Sequence, residues 1–413
     1  MINRDLQAVG LDIGTSAVRC VIGEQDEEGA LNILGIGESD SKGLRRGIVT
    51  RSNAVVEAIK KAVDEAERVS GLEIQMASVN LSGQHLQGEN KSGVVAVAGA
   101  EREISEEDVE RAIDSACAIQ LPSGWEIMDR LPQEFIVDGQ DGIIEPIGMR
   151  GSRLEALVHV VTSPSAGGQN IVKAVHNSGL EIEQLILEPL AAAAATLSDE
   201  DREYGCAIVN IGSEITSLMI FGRGAVQHTA VFPFGGMNFT KDIATGLRVS
   251  IPDAEKIKKR HGCVAGYLMD DEEKQELIEI TPVGRTETRQ LTKEILTDIL
   301  HPRAVELLQY IAQEVANSDS QISSGVILTG GSASIKGIVE IAEQVFDAPT
   351  RVGLPHEDLF GGLVDELQRP DWSVAAGLAL TSLRAQLRED ELGGKSPGRK
   401  VAEWFESFRG KFR

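Results

Sequence analysis

Asp12 is followed by Gly14, Thr15 and Ser16 in the stretch AVGLDIGTSAVRCVIG, which begins at Ala8. A glycine in such a turn lets successive backbone N–H groups converge on an anion, and the two hydroxyls add further donors. The carboxylate before it can only accept hydrogen bonds, which suits Mg2+ held through bound water. Arg19 returns on the far side of the turn, where it could neutralise phosphate charge. Taken alone, this is a glycine turn of a kind found in many hairpins. Three further stretches extend the pattern. AIVNIGSEITSLMIFG, from Ala207, supplies an opposing turn with Gly212 and Ser213. GVILTGGSASIKG places Gly330, Gly331 and Ser332 between an apolar run and a helix start, where backbone and helix dipole favour an anion. Glu188 stands directly before Pro189, so it is held extended at a helix entrance facing the same cleft.

These residues need elements to hold them. The stretches from Ala8 and Ala207 each read as an apolar run, a polar glycine turn and a second apolar run. That is the pattern of a buried strand, a tight turn and an antiparallel return strand. Each half also carries a helix of small residues, EPLAAAAATL (Glu188 to Leu197) and WSVAAGLALTSL (Trp372 to Leu383). Small side chains let a helix lie close against another backbone. The fold class is therefore α/β, with two related halves facing each other across a cleft. Between Gly83 and Val161, GVVAVAG reads as a strand, ISEEDVERAIDSACAI as a helix opened by a Ser105–Asp108 capping box, and GSRLEALVHVVTS as another strand. This predicts a small inserted α/β unit. A second insertion, from about Phe232 to Tyr310, contains SIPDAEKIKKRHG, whose Pro252 fits a helix start.

The 413 residues carry a formal charge of −24, with 42% hydrophobic and 25% charged residues. Such a chain has room for two or more domains, and its acidity argues against nucleic acid as a main partner. Cys20, Cys117, Cys206 and Cys263 lie far apart with no CxxC pair, which gives a zinc site or disulfide framework little support and fits a reducing cytoplasm. No start resembling a signal peptide and no apolar run near ~20 residues is present, so any membrane contact is expected to be peripheral.

The last fifteen residues, RKVAEWFESFRGKFR, contrast with this acidic body. At about 100° per residue, Val401, Trp404, Phe405, Phe408 and Phe412 share one helical face. Arg399, Lys400, Arg409, Lys411 and Arg413 flank that face, against Glu403 and Glu406 only. An apolar stripe bordered by cations suits an anionic bilayer surface. The other reading is a terminal helix docked on the protein's own core, against which the Gly- and Pro-containing linker REDELGGKSPG argues. Partial burial of the face yields about 6–8 kcal/mol. Each basic residue adds roughly 1 kcal/mol, and ordering the segment consumes much of the total. One tail is thus a marginal anchor, and several on one polymer a firm one.

In chain order, the motifs resemble those of the actin/Hsp70/hexokinase ATPase superfamily: phosphate-1 at Val9–Gly23, connect-1 at Leu187–Leu197, phosphate-2 at Ala207–Phe221, adenosine at Gly325–Gly337 and connect-2 at Trp372–Leu380. Within it, DAEKIKKRHGC, GVILTGG, LEPLAAA and the insertion after Gly83 resemble the FtsA family of bacterial division proteins, over nearly the whole chain. The resemblance implies subdomain 1A from residues 1–83, 163–197 and 372–388, 1C from 84–162, 2A from 198–232 and 311–371, and 2B from 233–310. A linker over 389–398 and a membrane-targeting amphipathic helix over 399–413 follow.

It also implies site roles. Asp12 would order Mg2+, Gly14, Thr15 and Ser16 would hold the phosphates of ATP, and Glu188 would orient the attacking water. Gly235 and Gly236 would approach from the other half, and Lys256, Lys259, Gly331 and Ser332 would flank adenosine. The other reading of KIKKR is a solvated helix face. One departure stands out: the family pattern D-x-G-x-x-T is here Asn210-Ile-Gly-Ser-Glu-Ile215. An amide lacks the negative charge that would hold Mg2+ or polarise water, so ATP binding with slow or absent hydrolysis is expected. By resemblance the protein would polymerise and tether FtsZ to the cytoplasmic face of the membrane at the division site. The FtsZ C-terminal peptide would dock on 2B, where Arg289 and Arg303 could meet its acidic groups, and 1C would contact neighbouring subunits or later division proteins. The alternatives are a related PilM-type scaffold and a small-molecule kinase of the superfamily, which would need a catalytic carboxylate that does not stand out here.

Overall fold

The computed structural model describes residues 7–26, 29–98 and 102–391. Two hairpins organise it. Gln7–Ile13 pairs antiparallel with Ala17–Gln25, and Cys206–Ile211 pairs antiparallel with Thr216–Gly222. Their strands are buried almost throughout, because both sheet faces are covered; hence the near-continuous apolar runs in place of alternation. The first hairpin lies in a six-stranded sheet ordered Glu181–Leu187, Met76–Leu81, Gln7–Ile13, Ala17–Gln25, Leu31–Asp40 and Phe360–Gly362. The second lies in a five-stranded sheet ordered Ala225–Phe232, Thr216–Gly222, Cys206–Ile211, Val326–Thr329 and Thr350–Val352. The duplication extends to register: Asp12 faces Arg19 across the first hairpin, and Asn210 faces Ser217 across the second.

Both small-residue helices form, as Glu188–Thr196 and Ser373–Glu391. Their composition has a steric cause. A Cβ on Gly377 would lie 1.7 Å from the Ala191 carbonyl oxygen, and one on Gly10 would lie 2.1 Å from that of Ala375. The helix Ser373–Glu391 therefore touches the backbone of both the alanine helix and the central strand of the first sheet. Leu378, Ala191, Ala192, Ile208, Phe221 and Ile327 share one core that joins the two halves. This helix continues to Glu391, into the segment read as a linker from residue 389. The tail residues 399–413 lie outside the described residues. Among the described residues no helix is long and apolar enough to cross a membrane.

A separate four-stranded sheet, ordered Gln87–Ala96, Arg153–Pro164, Trp125–Val137 and Gln140–Ile143, carries the helix Glu106–Ala116. It has its own core around Val109, Phe135, Leu154 and Val158. The Ser105–Asp108 capping box is formed, with the Asp108 N–H donating to Ser105 Oγ at 3.3 Å and the Ser105 N–H to Asp108 Oδ2 at 3.0 Å. Over the second half stand the helices Gly236–Leu247, Ile251–His261 and Lys293–Asn317, with the two strands Leu277–Ile280 and Arg289–Thr292. Pro252 sits in the first turn of its helix, as its lack of an N–H predicts.

Candidate functional site

The two hairpin turns face one cavity of about 560 Å³, within the usual range for small-molecule sites. They are built alike. Gly14 donates its N–H to the Ala17 carbonyl at 3.0 Å, and Gly212 donates to that of Ile215 at 3.0 Å. Thr15, Ser16 and Ser213 continue the two turns along the cavity wall, and Gly330, Gly331 and Ser332 close it from the strand Val326–Thr329. Gly330 takes φ +81°, and a Cβ there would fall 2.1 Å from Asn210 Oδ1.

Helix Gly236–Leu247 is docked on the second turn through its first backbone donors. The Gly236 N–H reaches the Gly212 carbonyl at 2.8 Å, and that of Met237 reaches Ser213 at 2.7 Å. Gly236 lines the cavity. Gly235, expected beside it, stands behind the turn, where a Cβ would lie 2.5 Å from the Gly212 oxygen. Its small size serves helix docking.

Asp12 and Glu188 form the floor, with only 8% and 6% of each exposed. Glu188 Oε1 accepts from Asn210 Nδ2 and, at 3.2 Å, from Ser217 Oγ. Burial, helped by the Asp12 charge, pushes Glu188 up to about 7 against the pull of those two hydrogen bonds. Burial also raises Asp12 to about 6, opposed by Arg19 and helped by Asp371. Asn210 Oδ1 is buried with no hydrogen-bond partner. Asp12 and Glu188 thus offer carboxylate oxygens at the floor, donors that fit hydrated Mg2+. Ser217 was missed because its signal lies in register: it holds the place in the second hairpin that Arg19 holds in the first.

Arg19 lines the cavity, but its charge is already engaged. Nη2 lies 2.6 Å from both Glu38 Oε1 and Asp371 Oδ2, and the guanidinium stands 5.6 Å from the Trp372 ring centroid. Arg369 shares Asp371 at 2.6 Å. The expected free phosphate counter-charge is therefore a carboxylate-bound group in this structure. On helix Ile251–His261 the cavity face comprises Glu255, Lys258, Lys259 and the following Gly262, the three- and four-residue spacing of one helical side. Lys259 lines the cavity. Lys256 falls on another side, 71% exposed and beside Asp253, whereas Lys258 lines the cavity. The Lys258 ammonium binds the Gly236 carbonyl at 3.0 Å, Thr240 Oγ1 at 3.0 Å and Glu255 at 2.8 Å.

The two arginines expected to meet an acidic peptide are also engaged. Arg289 donates to the Leu247 carbonyl at 3.0 Å. Arg303 forks onto Asp242 at 2.6 and 3.2 Å and also binds Glu306, so carboxylates of this chain already engage Nε, Nη1 and Nη2. The i,i+3 pairing of Arg303 with Glu306 was the available sequence signal.

A family model described as Cell division protein FtsA matches residues 207–377, and one described as SHS2 domain inserted in FTSA matches residues 83–162. The chain is 39% identical over 380 residues to Cell division protein FtsA of Pseudomonas aeruginosa (strain PAO1), covering 92% of this chain and 89% of that relative. To Cell division protein FtsA of Neisseria meningitidis serogroup B (strain MC58) it is 37% identical over 388 residues, covering 93% and 92%. Among solved structures, the PilM-PilN type IV pilus biogenesis complex matches with TM-score 0.67 at 19% identity, covering 91% of this chain and 98% of that one. MreB5 of Spiroplasma citri bound to ADP matches with TM-score 0.55 at 14% identity, covering 94% and 98%. At such identities these two show the fold alone, an actin-like one. The full-length relatives carry more: this chain belongs to the FtsA family of cell division proteins.

Proposed function

We propose that this actin-like division protein binds ATP with Mg2+ in the cleft, polymerises, and tethers FtsZ filaments to the cytoplasmic face of the membrane at the division site. The observation that carries the nucleotide reading is the pair of like-built glycine turns facing one cavity above Asp12 and Glu188. Asp12 would order hydrated Mg2+, and the two turns would hold the phosphates. Lys258, Lys259, Gly331 and Ser332 would take the nucleoside end. The MreB5 neighbours bound to ADP and AMPPNP support a nucleotide in this type of cleft.

Hydrolysis is expected to be slow or absent. Glu188 would orient a water, and that water's proton would pass to its free oxygen, Oε2. The other oxygen is already held by Asn210 and Ser217. Asn210 supplies no negative charge to draw the cation towards the attacking water. Nucleotide then acts chiefly as a ligand that sets cleft closure and contacts between subunits.

The membrane reading rests on the apolar face of Val401, Trp404, Phe405, Phe408 and Phe412 with its flanking cations. A single tail binds weakly, so polymerisation supplies the avidity. FtsZ docking on the 233–310 unit and contacts of the 84–162 unit with neighbouring subunits or later division proteins rest on family membership. The test is sedimentation with anionic liposomes, with and without ATP, comparing the full chain with one ending at Gly398. Pelleting of the full chain alone, rising steeply with protein concentration and ATP, supports the reading. Equal pelleting of both chains would sink the tether.

A further inference from the structure

The segment from Ser41 to Val49 touches both glycine turns. Ser41 donates its N–H to the Ser16 carbonyl of the first turn at 3.0 Å. The backbone N–H of Arg46 donates to the Glu214 carboxylate of the second at 2.8 Å. Ser41 and Ser16 belong to the same half, whereas Arg46 and Glu214 sit on opposite sides of the cleft. Arg46 is the tip of a small hairpin, Leu44–Arg45 with Ile48–Val49. Arg46 and Gly47, at φ 50° and 76°, supply the left-handed pair that a two-residue turn requires.

The same tip reaches a third place. The Arg46 carbonyl accepts from the Gln84 N–H at 3.4 Å, and its guanidinium lies 3.4 Å from Gln84 Oε1. A Cβ on Gly47 would fall 2.7 Å from Gly83 Cα, so the tip is seated on Ser82–Gln84. There the strand Met76–Leu81 of the first half leads into Gln87–Ala96 of the inserted unit. One hairpin tip thus joins the second glycine turn to the root of that unit.

We infer that Glu214 is a positioning residue: it clasps the second glycine turn to the Arg46–Gly47 tip, so that a nucleoside di- or triphosphate in the cleft is sensed at Ser82–Gln84. The inference rests on the nucleotide reading above. Phosphates bridging the two turns fix their separation, and only the Arg46–Glu214 bond in this segment spans that gap. A carboxylate acceptor and a fixed backbone donor give the bond a narrow geometry. Coupling is reciprocal, so a ligand that tightens the clasp is itself held more firmly by it.

The Arg46 amide is the donor itself, and its hydrogen exchange reads the clasp directly. In the full chain, Mg-ATP is expected to slow exchange at Arg46 about tenfold or more, and to slow it at Gln84 as well. Glu214→Ala should abolish both responses and speed ATP release about fivefold or more. Glu214→Gln keeps a carbonyl acceptor and should retain most of the response. If the wild type binds ATP with no change at Arg46, or Glu214→Ala keeps the change, the inference is overturned. If the wild type binds no ATP, the nucleotide reading fails and takes the coupling with it.

Discussion

Asn210 donates its side-chain amide to the Glu188 carboxylate across the floor of the cleft. At the matching place in the first half stands Asp12, facing Arg19. The second half therefore presents a neutral pair, Asn210 and Ser217, to a carboxylate already beside Asp12. A third acid here would replace a donor with a repelling acceptor. Asn210→Asp should destabilise the ligand-free protein by about 1–3 kcal/mol. Mg-ATP should recover more of the unfolding temperature in the variant than in the wild type, and phosphate release from ATP should rise. Calorimetry and a phosphate-release assay check both. A variant no less stable without ligand would contradict the role given to the Asn210–Glu188 bond.

The same floor fixes a pH dependence. Burial raises Glu188 from 4.5 to about 7 and Asp12 from 3.8 to about 6. Each group then binds its proton more tightly folded than unfolded. The stability each contributes is fully present below its unfolded value and is lost as pH rises through its folded one. Between about pH 4 and 7 the ligand-free protein should lose stability, and Glu188→Gln should flatten the upper part of that slope. Unfolding midpoints measured across this range decide it; identical slopes would remove Glu188 as the cause.

On helix Ile251–His261 two lysines separate a cleft contact from a solvated one. Lys258 is 10% exposed, with its ammonium on the Gly236 carbonyl, while Lys256 is 71% exposed. Lys258→Ala should weaken ATP binding by about 1.5–3 kcal/mol, tenfold or more, through loss of a charge-assisted contact. Lys256→Ala should leave affinity within about twofold, as surface changes usually do. Titration with a fluorescent ATP analogue checks the pair. Equal losses would mean that general positive charge, not position, matters.

What the sequence makes legible here is local. The two hairpins, their glycine turns and the Ser105–Asp108 cap follow from neighbouring residue types, and all form. The small-residue helices were legible too, because close backbone approach tolerates few side chains. Partners across the fold were not. Arg19 meets Asp371 from 352 residues away, and no local pattern says that its charge is taken. Lys256 and Lys258 differ by two positions, which on a helix means opposite sides; a run of lysines does not show which side the cleft takes. Ser217 needed the register of both hairpins, which only their common turn geometry fixes.

Gly377 sets local preference against packing, and the structure says which wins. In an isolated helix alanine is favoured over glycine by about 1 kcal/mol. In Ser373–Glu391, however, a Cβ at 377 would fall 1.7 Å from the Ala191 oxygen and 2.6 Å from its carbon. The helix cannot yield the other way, since Ala375 is pressed against Gly10 on the central strand. Gly377→Ala should therefore destabilise by about 1–3 kcal/mol, as overpacked cores do. Gly167 gives the contrast: it lies in helix Ser165–Ser178 with nothing within 4 Å of its would-be Cβ. Gly167→Ala should be neutral or stabilising by up to about 1 kcal/mol. Urea unfolding of the two variants measures the difference. If Gly377→Ala also stabilises, the contact between the two small-residue helices is looser than a backbone-to-backbone joint, and the cleft floor that Glu188 starts from is not rigidly held.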